Sequence, residues 1–330
     1  RTLESLTGSE VFASSEAINK YQLKTKNENG DSRNLNDLLQ QDVISQWNGE
    51  LSATQRGGDI DGQAKGDRSG WSVSLSADGN TLAVGARQDD SSGNRSGSTQ
   101  IYTWNGTAWS QLGDDIDGEA AEDESGYSVS LSADGTTVAI GARRNDGNGN
   151  SSGHTRIYSW NGTAWNQLGN DIDGEAADDE SGYSVSLSAN GTTVAIGARR
   201  NDGNGNSSGH TRIYSWNGAA WNQLGSDIDG EAANDFSGNS ISLSNDGQTV
   251  AIGAHKNDGN GSKSGHARIY NWNGTTWSQL GSDIDGEAAF DGLGSSVSLS
   301  SDGSVVAIGA YSNDGNGTDS GHVRIYKNVN

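Results

Sequence analysis

One pattern recurs along this 330-residue chain at a constant interval. "SVSLS", or once "SISLS", begins at Ser72, Ser128, Ser184, Ser240 and Ser296. "DIDG" begins at Asp59, Asp115, Asp171, Asp227 and Asp283, and "IY" at Ile101, Ile157, Ile213, Ile269 and Ile325. Every step is 56 residues, with no insertion. Segments 126–169 and 182–225 differ only at Asp134/Asn190 and Thr163/Ala219, the mark of a recent duplication. A fixed period of this kind constrains the fold before any local reading does. Each copy must be one supersecondary unit that buries its apolar face against the next.

Each unit holds four strand-like runs. In the second, "YSVSLS" (127–132) alternates, with Val129 and Leu131 on one face, and "TVAIGA" (137–142) places Val138 and Ile140 together. "TRIYSW" (155–160) and "TAWNQL" (163–168) complete the set, here called A to D. The links "ADG" and "NG" are hairpin chemistry, because Gly and Asn tolerate positive φ. A two-residue turn at Asn161-Gly162 sets Tyr158 opposite Trp165 as a cross-strand aromatic pair. Such Trp residues serve either sugar stacking or packing between blades, and packing is the favoured reading.

Four antiparallel strands per repeat, five times over, describe an all-β fold: a five-bladed β-propeller. The last unit stops at strand C, "HVRIYKN" (322–328), while "WNGELSATQRGGDIDG" (47–62) aligns with "WNGTAWSQLGDDIDG" (104–118). The expectation is that this N-terminal strand D completes the last blade and leaves no open edge. The propeller then spans 47–330, preceded by a non-repeating extension at 1–46. In the extension "KYQLKTK" (20–26) alternates like a strand. "NLNDLLQQDVI" (34–44) has Leu35, Leu38, Leu39 and Val43 at helical spacing behind a capping Asn34.

Composition narrows the partners. The net charge is −22, of which the propeller carries −20, so nucleic acid is not an expected partner. No apolar run approaches the roughly 18 residues of a membrane helix. Cys is absent, which excludes disulfides and thiolate metal sites. Pro is absent too, so turns depend on Gly, Asn and Asp.

The run "SGYSVSLSADGTTVAIGARRNDGNGNSSGHTRIYSW" (125–160) resembles the FG-GAP repeat of integrin-α-type β-propellers and their bacterial surface relatives. The resemblance covers about 47–330. It implies a secreted or cell-surface propeller with adhesive or ligand-binding roles. Two departures stand out. The family's calcium lies in an Asp-rich A–B loop, whereas the A–B link here is only "SADGTT" (132–137), so that metal site is not carried over. Integrin propellers have seven blades, and five are counted here.

Antiparallel order places the B–C loops and D–A links at one end, and the acids collect there. In the second unit Asp115, Asp117, Glu119 and Asp123 of the D–A link are expected to approach Asp146 and Asn148 of the B–C loop. The third unit repeats Asp171, Asp173, Glu175, Asp179, Asp202 and Asn204. The fourth repeats Asp227, Asp229, Glu231, Asp235 and Asp258, and the fifth Asp283, Asp285, Glu287, Asp291 and Asp314. Calcium takes six to eight oxygens of this kind, so these residues are the candidate calcium ligands; the alternative is that they cap their own turns. His154, His210, His266 and His322 recur before strand C, with Ser98 in the first unit, and are read as structural because equivalent positions in a ring lie far apart. Arg156, Arg212, Arg268 and Arg324 are expected to pair with acids of neighbouring blades.

Three functions are compatible with this pattern. The first is an adhesive, interaction or structural module that takes a protein or glycan ligand on the acidic face. The second is a multivalent lectin, whose weak sites gain by avidity. The third is a subunit of a filament or surface layer, joined as a homo-oligomer or polymer through residues 1–46. An enzyme is not expected, since catalytic carboxylates need different residues from different blades and the inner strands are almost interchangeable.

Overall fold

A computed structural model describes residues 54–327 and, ahead of them, the backbone of two short strands. Two compact units are distinguished, Arg1–Arg56 and Gly57–Asn330. In the first, β1 (Lys24–Lys26) and β2 (Ser32–Asn34) pair antiparallel. The helical stretch read over 34–44 lies, beyond Asn34, outside the described residues.

The second unit is a row of antiparallel sheets. The first repeat holds β3 (Ser69–Leu75), β4 (Thr81–Ala86), β5 (Ser98–Trp104), β6 (Trp109–Gln111) and β7 (Ile116–Asp117). The second holds β8 (Ser125–Leu131), β9 (Thr137–Ala142), β10 (His154–Trp160), β11 (Trp165–Gln167) and β12 (Ile172–Asp173). The third holds β13 (Ser181–Leu187), β14 (Thr193–Ala198), β15 (His210–Trp216), β16 (Trp221–Gln223) and β17 (Ile228–Asp229). The fourth holds β18 (Ser240–Leu243), β19 (Thr249–Ala254), β20 (His266–Trp272), β21 (Trp277–Gln279) and β22 (Ile284–Asp285). The fifth holds β23 (Leu293–Leu299), β24 (Val305–Ala310) and β25 (His322–Lys327). Within a sheet the strands follow chain order, and the two-residue strand of each D–A link pairs back onto the start of strand C.

Apolar residues on the facing sides of successive sheets bury against one another. Ala83, Ile101 and Ile116 of the first repeat meet Val129, Leu131, Val138 and Ile140 of the second. Ala139, Ile157 and Ile172 then meet Leu187, Val194 and Ile196 of the third. The serines of strand A stitch the same junctions. Leu131 N donates to Ser74 Oγ at 2.9 Å, and Leu187 N, Leu243 N and Leu299 N repeat the bond onto Ser130, Ser186 and Ser242. Ser72, Ser128, Ser184 and Ser240 donate their hydroxyls to carbonyls of the next repeat.

The C–D hairpin differs from expectation. Asn161 N donates to Ala164 O, and Asn161 Oδ1 accepts from Thr163 N and Ala164 N, so the loop has four residues rather than two. The register therefore sets Trp160 opposite Trp165, with Tyr158 opposite Gln167. The two indoles stand 5.5 Å apart, and Trp165 Nε1 donates to Leu112 O of the preceding repeat. A Cβ on Gly113 would lie 2.8 Å from the Trp160 ring, so Gly lets the preceding chain approach the indoles. Packing is thus a role these Trp residues fill.

The ends of the row differ from its middle. Val73 is 62% exposed where Val129 is 9%, and Ile325 is 71% exposed where Ile269 is 3%. Of the segment expected to complete the last blade, residues 54–62 form no strand and 47–53 lie outside the described residues. Gly57 nevertheless sits against Trp104 and Trp109 as Gly113 sits against Trp160 and Trp165. The described part of the fifth sheet has three strands.

Candidate functional site at the B–C and D–A end

The B–C loops are held by their own side chains. Asp146 Oδ1 accepts from Ser151 N at 2.7 Å, and Asp202, Asp258 and Asp314 do the same for the backbone N–H five residues on. Asn145 Oδ1 accepts from Gly147 N, while its Nδ2 donates to Asp123 Oδ2 at 3.0 Å. Asp123 also accepts from Ala120 N, and Asp179, Asp235 and Asp291 repeat this role. Asn148 Nδ2 reaches across to the carbonyls of Gly174 and Glu175 in the next link, and Asn204 repeats this toward Gly230 and Glu231. The expected approach of Asp123 to the B–C loop is therefore made through Asn145, with Asp146 and Asn148 engaged elsewhere.

The rest of the link faces strand C. Arg156 Nη2 donates to Asp117 O at 2.6 Å, and Arg212, Arg268 and Arg324 do the same to Asp173, Asp229 and Asp285. Arg156 Nη1 also lies 3.5 Å from Glu119, as expected for strand C arginines. Burial raises the carboxyls of Asp117, Glu119 and Asp123 above the ordinary carboxylate range. The same holds for Asp173, Glu175, Asp179, Asp229, Glu231 and Asp285.

Glu119 and Asp171 belong to two successive links, and the structure brings both to His154. His154 Nδ1 lies 3.8 Å from Glu119 and 3.7 Å from Asp171. Glu175, His210 and Asp227 form the same group, as do Glu231, His266 and Asp283. Each of the three histidines is 1% exposed. Burial, then the charge of the neighbouring Arg, pushes all three down to about 4, which leaves them neutral near pH 7. Sequence reasoning weighed one site shared by several His and missed a separate pair of acids for each. The signal was present: the first repeat replaces Glu, His and Arg together, by Gln63, Ser98 and Gln100.

A second feature of this end escaped the sequence reading. Arg87 stacks 3.9 Å from the Trp71 ring, Arg143 4.2 Å from Tyr127, and Arg199 3.8 Å from Tyr183, a cation–π ladder across three repeats. Glu124, with a side chain 0% exposed, lies between Arg87, Arg95 and Arg143 at 3.1, 2.7 and 2.8 Å. Burial alone would raise its carboxyl; the arginines outweigh burial and hold it below the ordinary range. The equivalent position reads Arg68, Glu124, Glu180, Phe236 and Gly292, so the repeats are not interchangeable here.

Face-to-face antiparallel sheets of one repeated design, with their acidic connections at one end, define a tandem-repeat β-propeller. The chain belongs to the FG-GAP repeat family, whose pattern matches residues 60–102, 116–158, 172–214 and 227–270. No curated protein matches the sequence. Similar solved structures include Kuenenia stuttgartiensis hydrazine synthase, at 13% identity and a TM-score of 0.48. That match covers 73% of this chain, which spans 61% of the other. Another is the periplasmic gluconolactonase of Pseudomonas aeruginosa, at 14% identity and a TM-score of 0.49, covering 87% of this chain and 70% of that one. The expectation that the chain is not an enzyme is withdrawn, because its premise of interchangeable blades holds along strand A but fails at Glu124 and its equivalents. The likeness itself assigns no activity. Among the described residues no helix is long and apolar enough to cross a membrane.

Proposed function

We propose that this FG-GAP repeat propeller is an extracellular or periplasmic interaction module that presents one acidic loop surface, repeated blade after blade, to a cationic protein partner. The observation that carries the reading is the recurrence of exposed carboxylates at the same end of successive repeats. Asp146, Asp202, Asp258 and Asp314 are exposed in the B–C loops, and Glu119, Glu175, Glu231 and Glu287 in the D–A links. Weak contacts at each blade add through avidity when the partner spans several. The overall charge of −22 favours a cationic surface on that partner. Calcium enters this reading as a stabiliser of the same oxygen-rich loops; a melting temperature unchanged between calcium and chelator would remove it.

The test is surface plasmon resonance against cationic peptides and proteins, with the wild type and a D146N/D202N/D258N variant. Asn keeps an oxygen to cap the loop and loses only the charge. Binding that weakens at least tenfold in the variant supports the reading, and binding that does not change sinks it. Glycan binding is the second reading. It is favoured by a cavity of about 330 Å³ lined by Tyr214, Trp221, Asp171 and Asp173, repeated at Tyr270, Trp277, Asp227 and Asp229. A glycan array separates the two. Assembly through residues 1–46 rests on residues almost wholly outside those described.

A further inference from the structure

The three Glu–His–Asp groups carry an inference independent of the partner reading. In each, one carboxylate comes from the link before the blade and one from the link after it, over a His at the start of strand C. The Nδ1 distances to Glu and Asp are 3.8 and 3.7 Å at His154, 3.7 and 3.8 Å at His210, and 3.5 and 4.0 Å at His266. A charge-assisted hydrogen bond would be about 2.7–2.9 Å, so these contacts are not hydrogen bonds. Both ring nitrogens of His210 and of His266 are buried and lack a hydrogen-bond partner. Buried polar atoms are rarely left so, and an ion is one of the standard reasons.

The spacing suits a shared ion. Two ligands about 2.0–2.2 Å from a tetrahedral metal stand roughly 3.3–3.6 Å apart, so the His–carboxylate distances need to close by only a few tenths of an ångström, while the two partly exposed carboxylates turn toward each other. The candidate ligand atoms of each group already lie within 4.8 Å of one another. The His is fixed by burial, whereas the Glu and Asp side chains are 44% and 28% exposed in the first two groups and leave a path from solvent. In each group Arg approaches Glu Oε1 while His faces Oε2, so the guanidinium orients the carboxylate and leaves one oxygen free.

We propose that Glu119/His154/Asp171, Glu175/His210/Asp227 and Glu231/His266/Asp283 are binding sites for a divalent transition-metal ion of the zinc class. Imidazole with two carboxylates is a donor set for such ions, whereas calcium and magnesium take oxygen. Two carboxylates, one of them shared with the strand C Arg, and an imidazole give a dication three protein ligands, and a fourth position is left for water or a ligand. The first repeat supplies an internal contrast. Gln63 stands where the other repeats have Glu, and its Nε2 donates directly to Asp115 Oδ2 at 2.8 Å. An amide there makes the link that the metal makes elsewhere, and Ser98 replaces the His.

The test is titration of the metal-free full chain with cobalt(II), read by its visible d–d absorption and by displacement with zinc. Three equivalents are expected, one per group. H154A, H210A and H266A should each remove one equivalent and the triple variant all three, while millimolar calcium should displace none. Q63E/S98H should add one equivalent, a gain that remains readable even if the triple variant does not fold. No cobalt uptake by the wild type overturns the proposal. So does uptake that a folded triple variant retains, or that calcium displaces.

Discussion

Glu124 offers the sharpest test of how neighbouring repeats are joined. Its carboxylate is wholly buried and lies within 4 Å of four guanidiniums, those of Arg87, Arg95, Arg143 and Arg144. Replacing it by Gln keeps the shape and leaves these cations without their shared counter-charge. Breaking a buried ion pair from one side costs about 3–5 kcal/mol. The partial exposure of Arg95 and Arg144, at 34% and 38%, places E124Q toward the lower end of that range. The sign with pH follows from the lowered carboxyl. A group whose folded pKa is depressed stabilises above its unfolded value, near 4.3, and the contribution is lost as pH falls through the folded value. The gap between wild type and E124Q should therefore be full at pH 7 and close as the solution is acidified below about 4. The assay is urea unfolding at pH 7, 5 and 3, with hydrogen exchange reporting whether protection is lost first along Ser125–Leu131. A gap below about 1 kcal/mol at pH 7, or one that does not narrow at pH 3, would refute the reasoning.

Three further outcomes follow from the junctions. S130A removes the acceptor of Leu187 N and should cost about 1–3 kcal/mol in urea unfolding, while S298A, at the end of the row, should cost less. G141A places a methyl on the Gly182 carbonyl oxygen and the Ser128 hydroxyl, so the two sheets must separate; a loss of about 1–3 kcal/mol is expected, and a neutral result would mean the junction is looser than described. Burial, then Lys256 and Arg199, pushes the His255 imidazole down to about 4. The unfolded chain binds that proton first, so stability falls between about pH 6.5 and 4, and H255Y, with the residue found at Tyr311, should lose less melting temperature from pH 7 to 5.

The repeats and their strands were legible because period and alternation are properties of the sequence itself. "TVAIGA" at 137–142 is β9 residue for residue. Strand A begins two residues earlier than read, at Ser125, because a register shift between Ser125 and Ser128 breaks the alternation. The tryptophan pairing moved by two residues because the Asn161 side chain builds a four-residue loop where the dipeptide Asn-Gly suggested two. The loop end was legible as acidic, but its partners were not. Glu119, His154 and Asp171 come from three segments, and only the turn of one sheet against the next brings them together. The exposed Val73 and Ile325 at the ends of the row could not be foreseen either, since their repeats read like the buried ones.

The claim that one ligand site is repeated at successive blade junctions is tested most directly by diffraction from crystals grown with zinc. Anomalous difference maps recorded on both sides of the zinc edge should show a peak beside each of His154, His210 and His266, bonded at about 2.0–2.1 Å, and none between Gln63 and Asp115. Peaks confined to surface carboxylates, or no peaks at these three histidines, would contradict it.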